Sequence, residues 1–189
     1  SYLDYFDVDS PLGKGFALVQ SYVKGKSLQE LLKAGRTFSE EQTIQIAKDL
    51  LGILVYLHNR QPLVIHRDIK PSNILLDQDD RVYLVDFGSV QNRVARQGST
   101  ITVVGTYGYM PPEQFGGRTV PASDLYALGA TLINLVTGQN PADLPQQESR
   151  ISFEQSVNLS PKFSDWLKWM TEPILDLRLD SASKALQAL

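Results

Sequence analysis

The chain has 189 residues, with 18 Lys+Arg against 21 Asp+Glu and a formal net charge of −3, a length that corresponds to about one domain. A composition of 42% hydrophobic and 21% charged residues is that of a globular chain rather than a disordered one, and the balanced charge gives no support to nucleic-acid binding through a general basic field or to a polybasic hold on lipid. Cysteine is absent and histidine occurs only at His58 and His66, which removes disulfide frameworks, thiolate nucleophiles, Cys-ligated metals and histidine-rich metal sites.

No apolar run approaches the roughly 18 residues of a membrane span, and the first residues lack a signal-peptide pattern. No membrane segment and a cytoplasmic location are therefore expected. In chain order, Tyr2–Val8 and Phe16–Val23 are aromatic- and β-branched-rich runs that predict a hairpin around residues 9–15. Ser27 with Glu30 three residues on predicts a capped short helix stopped at Gly35. Ser39 with Gln42 caps the strongest helix, in which Ile44, Ala47, Leu50, Leu51, Leu54 and Leu57 recur at three- and four-residue spacing up to about Asn59. Short apolar runs at 63–65, 74–76 and 82–85, separated by polar clusters, read as short strands and loops. Residues 89–121 form a long irregular segment of the kind that is functional or disordered. An almost uncharged helix is expected over about 123–136, closed by Gly138, followed by a helix opened by Ser160-Pro161 and a last one starting at Ser181. The reading is mainly α, α+β overall, with a minor sheet.

Residues 66–73 read His-Arg-Asp-Ile-Lys-Pro-Ser-Asn, and residues 86–88 read Asp-Phe-Gly. Asp68, Lys70 and Asn73 on one loop, with Asp86 at the end of a strand 13 residues on, supply a base-like carboxylate, a cation and oxygen ligands suited to Mg²⁺. With Pro111-Pro112-Glu113 downstream, the chain resembles eukaryotic-type (Hanks-type) serine/threonine protein kinase catalytic domains, chiefly their C-terminal lobe.

That resemblance implies a fold and a division of labour. The whole chain, 1–189, reads as a partial kinase domain: a small-lobe hairpin remnant at 1–20, a hinge at 21–25, a large lobe at 26–189 and an activation segment at 86–113. Gln20 falls at the gatekeeper position. Ser21, Val23 and Leu75 would face the adenine of ATP. Asp68 would accept the substrate hydroxyl proton, Lys70 would neutralise the γ-phosphate, and Asn73 and Asp86 would hold Mg²⁺. Thr106 resembles the threonine that closes a serine/threonine substrate site. Arg67 would receive a phosphate placed on Ser99, Thr100 or Thr102. Asp124 and the pair Glu113–Arg178 are expected to be structural.

Several residues have plainer readings. His58 is expected to end a helix without a catalytic part, and His66 to be a packed structural histidine. Gly13-Lys14-Gly15 matches no phosphate-loop pattern and reads as a turn. Trp166 and Trp169 read as core or interface anchors. Asp77, Asp79 and Asp80 lack the glycine and closing glutamate of a calcium loop and read as a solvated turn.

The family's Gly-rich loop, strand lysine and helix glutamate are not matched within these residues, since only Lys14 occurs among the first 20. The expectation is a fragment that is inactive in isolation and binds MgATP poorly. It is also expected to self-associate through an exposed hinge and hairpin face. A protein substrate is implied, and no nucleic acid. The alternative is a pseudokinase-like docking or scaffold module without catalysis.

Overall fold

The computed structural model describes residues 2–10, 13–87, 91–92 and 105–189, with side chains in the first hairpin described only in part. The expected hairpin forms from β1 (Tyr2–Ser10) and β2 (Gly13–Gln20), antiparallel, with Ser10 opposite Gly13. Its strands run further toward the turn than the apolar pattern indicated, because pairing continues through polar residues. β2 stops at Gln20 rather than reaching Val23.

β3 (Gly25–Ser27) leads into α1 (Leu28–Lys33). The capping box is complete: Glu30 N–H donates to Ser27 Oγ at 3.1 Å, and Ser27 N–H donates to Glu30 Oε2 at 2.8 Å. Ser39 and Gln42 cap α2 (Glu40–His58) in the same way. β4 (Val64–Ile65) is followed by a turn over Pro71–Asn73, then β5 (Ile74–Asp77) and β6 (Val82–Leu84). β5 lies at the centre of a three-stranded sheet of order β3-β5-β6, so the strand that leads into α1 and the strands that follow the 66–73 loop share one scaffold.

The irregular segment contains more order than its composition announced. β7 (Gln91–Asn92) pairs with β4, and α3 (Pro112–Phe115) opens on a proline suited to a first turn. α4 (Pro121–Thr137) begins two residues before the expected start, and Gly138 ends it in the left-handed region at φ 69°. A two-residue pair, β8 (Gln146–Gln147) with β9 (Arg150–Ile151), was not foreseen. α5 (Pro161–Met170) and α6 (Ala182–Ala188) start at the caps Ser160 and Ser181.

The core is built around α4, whose Leu125, Leu128, Leu132 and Ile133 are fully buried. α2 and α5 pack on it, and α6 covers α2. Trp166 is buried and donates its indole N–H to Ala185 O at 2.9 Å, tying α5 to α6. Trp169, three residues on, is 55% exposed and is not a core anchor. At Gly129 α4 lies tight against the end of α5: a Cβ there would lie 2.7 Å from Met170 Cβ and 2.8 Å from Thr171 Cγ2. Alanine would add about 1 kcal/mol of helix propensity but would overpack this contact by about 1–3 kcal/mol. Gly129→Ala is therefore expected to lower the melting temperature by a few degrees; thermal unfolding that rises instead would show the helices can separate freely.

Candidate active site

The loop after β4 is shaped by one buried carboxylate. Asp124, fully buried in the first turn of α4, accepts His66 N–H at Oδ2 (2.9 Å) and Arg67 N–H at Oδ1 (2.8 Å). Arg67 adopts φ 73°, a region costing a non-glycine residue of order 1–3 kcal/mol and held only where its surroundings impose it. Here both sides of the residue are held, since Gln114 Nε2 donates to Arg67 O at 2.8 Å.

His58 also reaches Asp124, with Nε2 2.9 Å from Oδ2. Sequence periodicity identified it only as the end of a helix. The signal was weak: one polar residue at the last turn of α2, 66 positions before its partner. His66 is fully buried. Its Nε2–H donates to Val85 O at 3.1 Å and its Nδ1 accepts Asp68 N–H at 3.4 Å, a pattern that needs the neutral ring. Burial pushes its pKa below the ordinary histidine value, against opposing pulls from the Asp124, Asp68 and Asp86 carboxylates.

A pH dependence follows. The unfolded chain binds a proton on this ring near pH ~6.5, the folded chain only at lower pH, so stability falls as pH drops through that window. The slope from this group is at most about 1.4 kcal/mol per pH unit. Urea unfolding between pH 7.5 and 5.5 is expected to show a steeper loss for the wild type than for His66→Gln; equal slopes would exclude His66 as the source.

The loop delivers a compact polar constellation. Asp68 Oδ2 lies 2.7 Å from Lys70 Nζ and accepts Asn73 Nδ2–H at 3.2 Å. Asp68 Oδ1 accepts the Thr106 hydroxyl at 2.8 Å, and that hydroxyl oxygen accepts Lys70 Nζ–H at 2.7 Å. Asn73 Nδ2 also donates to Asp68 O at 2.9 Å. An aliphatic hydroxyl thus sits between a carboxylate and an ammonium, donating to one and accepting from the other.

Asp86 follows Val85, whose N–H donates to Asn73 O at 2.9 Å. It is exposed and left-handed at φ 64°, while Phe87 lies edge-on to the His66 ring at 5.0 Å. The donor chemistry fits a hard divalent cation. The Asn73 amide nitrogen is committed to Asp68, so its oxygen is the end that could coordinate a cation, with Ser72 Oγ 3.3 Å away. Among the described residues no group of three or more His, Cys, Asp or Glu side chains is placed to hold a metal. A cation here would draw on the Asn73 amide, the Asp86 carboxylate and a ligand's own oxygens.

Ser21 is exposed and Val23 half-buried in the segment between β2 and β3. Leu75 on β5 is half-buried and stands opposite Ser27 and Tyr83 in the sheet. Ser99, Thr100 and Thr102 lie outside the described residues. Glu113 and Arg178 form a two-pronged ion pair, Nη1–Oε1 2.7 Å and Nη2–Oε2 3.1 Å. Asp77 is a turn organiser: its carboxylate accepts the Asp79 and Arg81 amides and the Tyr83 hydroxyl. Among the described residues no helix is long and apolar enough to cross a membrane.

Compared with known proteins, residues 4–188 match the family model of the protein kinase domain. The chain is 39% identical to serine/threonine-protein kinase B of Synechocystis sp. over 99% of its own length and 34% of the relative's. It is 41% identical to serine/threonine-protein kinase PknA of Nostoc sp., over 77% of this chain and 27% of that protein. Serine/threonine-protein kinase D of Synechocystis sp. is 40% identical over 82% and 30%. The chain thus spans about a third of the length of these curated relatives.

Proposed function

The chain belongs to the protein kinase family, and from that premise we propose that the protein it comes from transfers the γ-phosphoryl group of ATP to serine and threonine hydroxyls of protein substrates. The observation that carries the reading is the Thr106 hydroxyl held between Asp68 and Lys70. A substrate hydroxyl entering beside Thr106 would meet the same carboxylate and the same cation. Asp68 would take its proton as the new O–P bond forms and the bond from the γ-phosphorus to the bridging oxygen breaks, releasing ADP. Phosphoryl transfer depends chiefly on positioning and charge stabilisation, so a carboxylate fixed by Asn73 meets the need.

Lys70 would neutralise γ-phosphate charge. Asn73 and Asp86 would hold Mg²⁺, which when bound offsets phosphate charge. Ser21 and Val23 would supply backbone groups to the adenine, with Leu75 beneath it. Arg67 would pair with a phosphate on Ser99, Thr100 or Thr102 and so order the 86–113 segment; mass spectrometry finding all three unmodified after autophosphorylation would remove that part.

The 189 residues contain no G-x-G-x-x-G pattern, so the chain tested alone is expected to bind MgATP weakly by calorimetry. Self-association through the hinge and hairpin face belongs to the same proposal: among the described residues β1–β2 is a two-stranded sheet with no third strand on either edge. Light scattering that gives a monodisperse monomer would remove it. A cytoplasmic setting is also part of the reading. The deciding experiment is transfer of labelled phosphate from ATP to a generic protein acceptor by the longer protein, followed by phosphoamino-acid analysis. Label on serine and threonine is expected. No transfer by a protein that contains the glycine loop and strand lysine would favour a scaffold instead.

A further inference from the structure

A cavity of about 340 Å³ lies against the segment 22–26, away from the Asp68 constellation. Leu75 and Leu76 point to opposite faces of β5, and it is Leu76 that forms the floor of this cavity, with Leu31 as an apolar wall. The opening therefore lies on the other side of the strand from the proposed adenine contact. Tyr22, 89% exposed, stands at its mouth.

The rim is cationic. Lys24, Lys26 and Arg36 line the cavity against one acid, Asp77. Asp77 already accepts hydrogen bonds from Asp79 N–H (2.9 Å), Arg81 N–H (3.0 Å) and the Tyr83 hydroxyl (2.9 Å), so its lone pairs are turned into its own turn. Among the described residues neither Lys24 nor Lys26 has an ion-pair partner within 4 Å, and Glu30, whose pKa is held below the ordinary glutamate value chiefly by its hydrogen bonds with Ser27 and least by Lys26, has Oε2 engaged in capping Ser27. Among the described residues Arg36 pairs with Asp80 alone, at 3.4 Å and largely in solvent, while its guanidinium rests over the Phe38 ring at 4.9 Å. It is held in place yet able to exchange a loose partner for a better one. Beyond Arg36 a second recess of about 150 Å³ shares Arg36 and Leu76 but is lined by the Asp49 and Asp80 carboxylates as well, so the cationic rim ends at Arg36.

We propose that the first cavity docks an acidic peptide segment that carries apolar side chains, its carboxylates on Lys24, Lys26 and Arg36 and its apolar residues on Leu31 and Leu76. The apolar floor selects a side chain that nucleic acid and inorganic anions do not have. The overall charge of −3 repels an extended polyanion, whereas a short segment meets only the local cations. The site is independent of phosphoryl transfer and its test does not use activity.

The test is fluorescence anisotropy of the 189-residue chain with a fluorescein-labelled nonapeptide of three glutamates and two leucines among serines. Saturable binding is expected, weakened at least about tenfold by the double variant Lys24→Glu/Lys26→Glu and steeply by added salt. Lys48→Glu, on α2 outside both recesses, should leave it unchanged. Amide shifts in the magnetic-resonance spectrum should fall on Tyr22, Lys26 and Leu31. The same peptide with serine in place of both leucines binding equally well, charge reversal without effect, no binding up to millimolar peptide, or equal competition by polyuridylate or anionic vesicles would each overturn the proposal.

Discussion

Asp68→Asn, in a protein that joins this chain to a glycine loop and strand lysine, is expected to lower phosphoryl transfer by about 10²–10⁴-fold, the range associated with losing a positioned general base, while the melting temperature stays nearly constant. The two oxygens of Asp68 are not equivalent. Oδ1 takes the Thr106 hydroxyl, and Oδ2 takes Lys70 and Asn73. An asparagine has one oxygen for these two positions and cannot take up a proton at either. With oxygen toward Lys70, its NH₂ meets the Thr106 hydroxyl, which can still accept it; with oxygen toward Thr106, its NH₂ faces two other donors. The first arrangement conserves packing and most hydrogen bonds, which is why the fold should survive. KM for ATP should change little, because Asn73 and Asp86 carry the proposed metal contacts. Lys70→Met should also be strongly impaired, and the double variant should be hardly worse than the poorer single one, as for groups that act as a unit. Asp68→Asn retaining more than about a tenth of the activity would remove Asp68 from the proposed chemistry.

How much of this was legible beforehand differs by the range of the forces involved. The capped starts of α1, α2, α5 and α6 were readable because a serine and its N–H partners lie within three residues. The α4 stop at Gly138 was equally local. The loop of residues 66–73 was recognisable as a set, yet the reason it holds its shape was not. Asp124 lies 57 positions from Arg67 and His58 lies 66 from Asp124, and no periodicity links such partners. Gln114, which holds the Arg67 carbonyl, is invisible in the sequence because a lone glutamine in a polar segment carries no pattern. β7 and the β8–β9 pair are two residues each, below what alternation can reveal. The recess at Tyr22 escaped for another reason: its cations and its floor come from four separate elements, and only the folded sheet brings them to one rim.

Arg178→Ala is expected to cost about 3–5 kcal/mol, the range for leaving one half of a buried ion pair uncompensated, and to lower the melting temperature by roughly 10 °C in a chain of this size. The side chain is fully buried and every guanidinium N–H has an acceptor. Nε donates to Glu172 O at 2.6 Å, Nη1 to Glu113 Oε1 and Ala122 O, and Nη2 to Glu113 Oε2 and Pro173 O. The Tyr126 ring lies 5.0 Å beneath it. Lysine offers three donors from a single point and cannot span these acceptors, so Arg178→Lys should recover little. Burial works against ionisation of Glu113, but hydrogen bonds and charge from Arg178, with help from Ser123, outweigh it and hold its pKa below the ordinary glutamate value. The pair's contribution is therefore complete above the unfolded glutamate pKa and is lost as pH falls through the lower, folded value. Removing both charges as Glu113→Gln/Arg178→Met should cost less than the sum of the single changes, with a coupling above about 1 kcal/mol. The effect also reaches the loop: Glu113 and Gln114 are neighbours on α3, and Gln114 holds Arg67 O. Faster hydrogen exchange at the His66 and Arg67 amides in Arg178→Ala is the local signature expected, under conditions where the fold persists. A melting temperature within 2 °C of the wild type, or unchanged exchange at those amides, would show that α3 keeps its place without the ion pair.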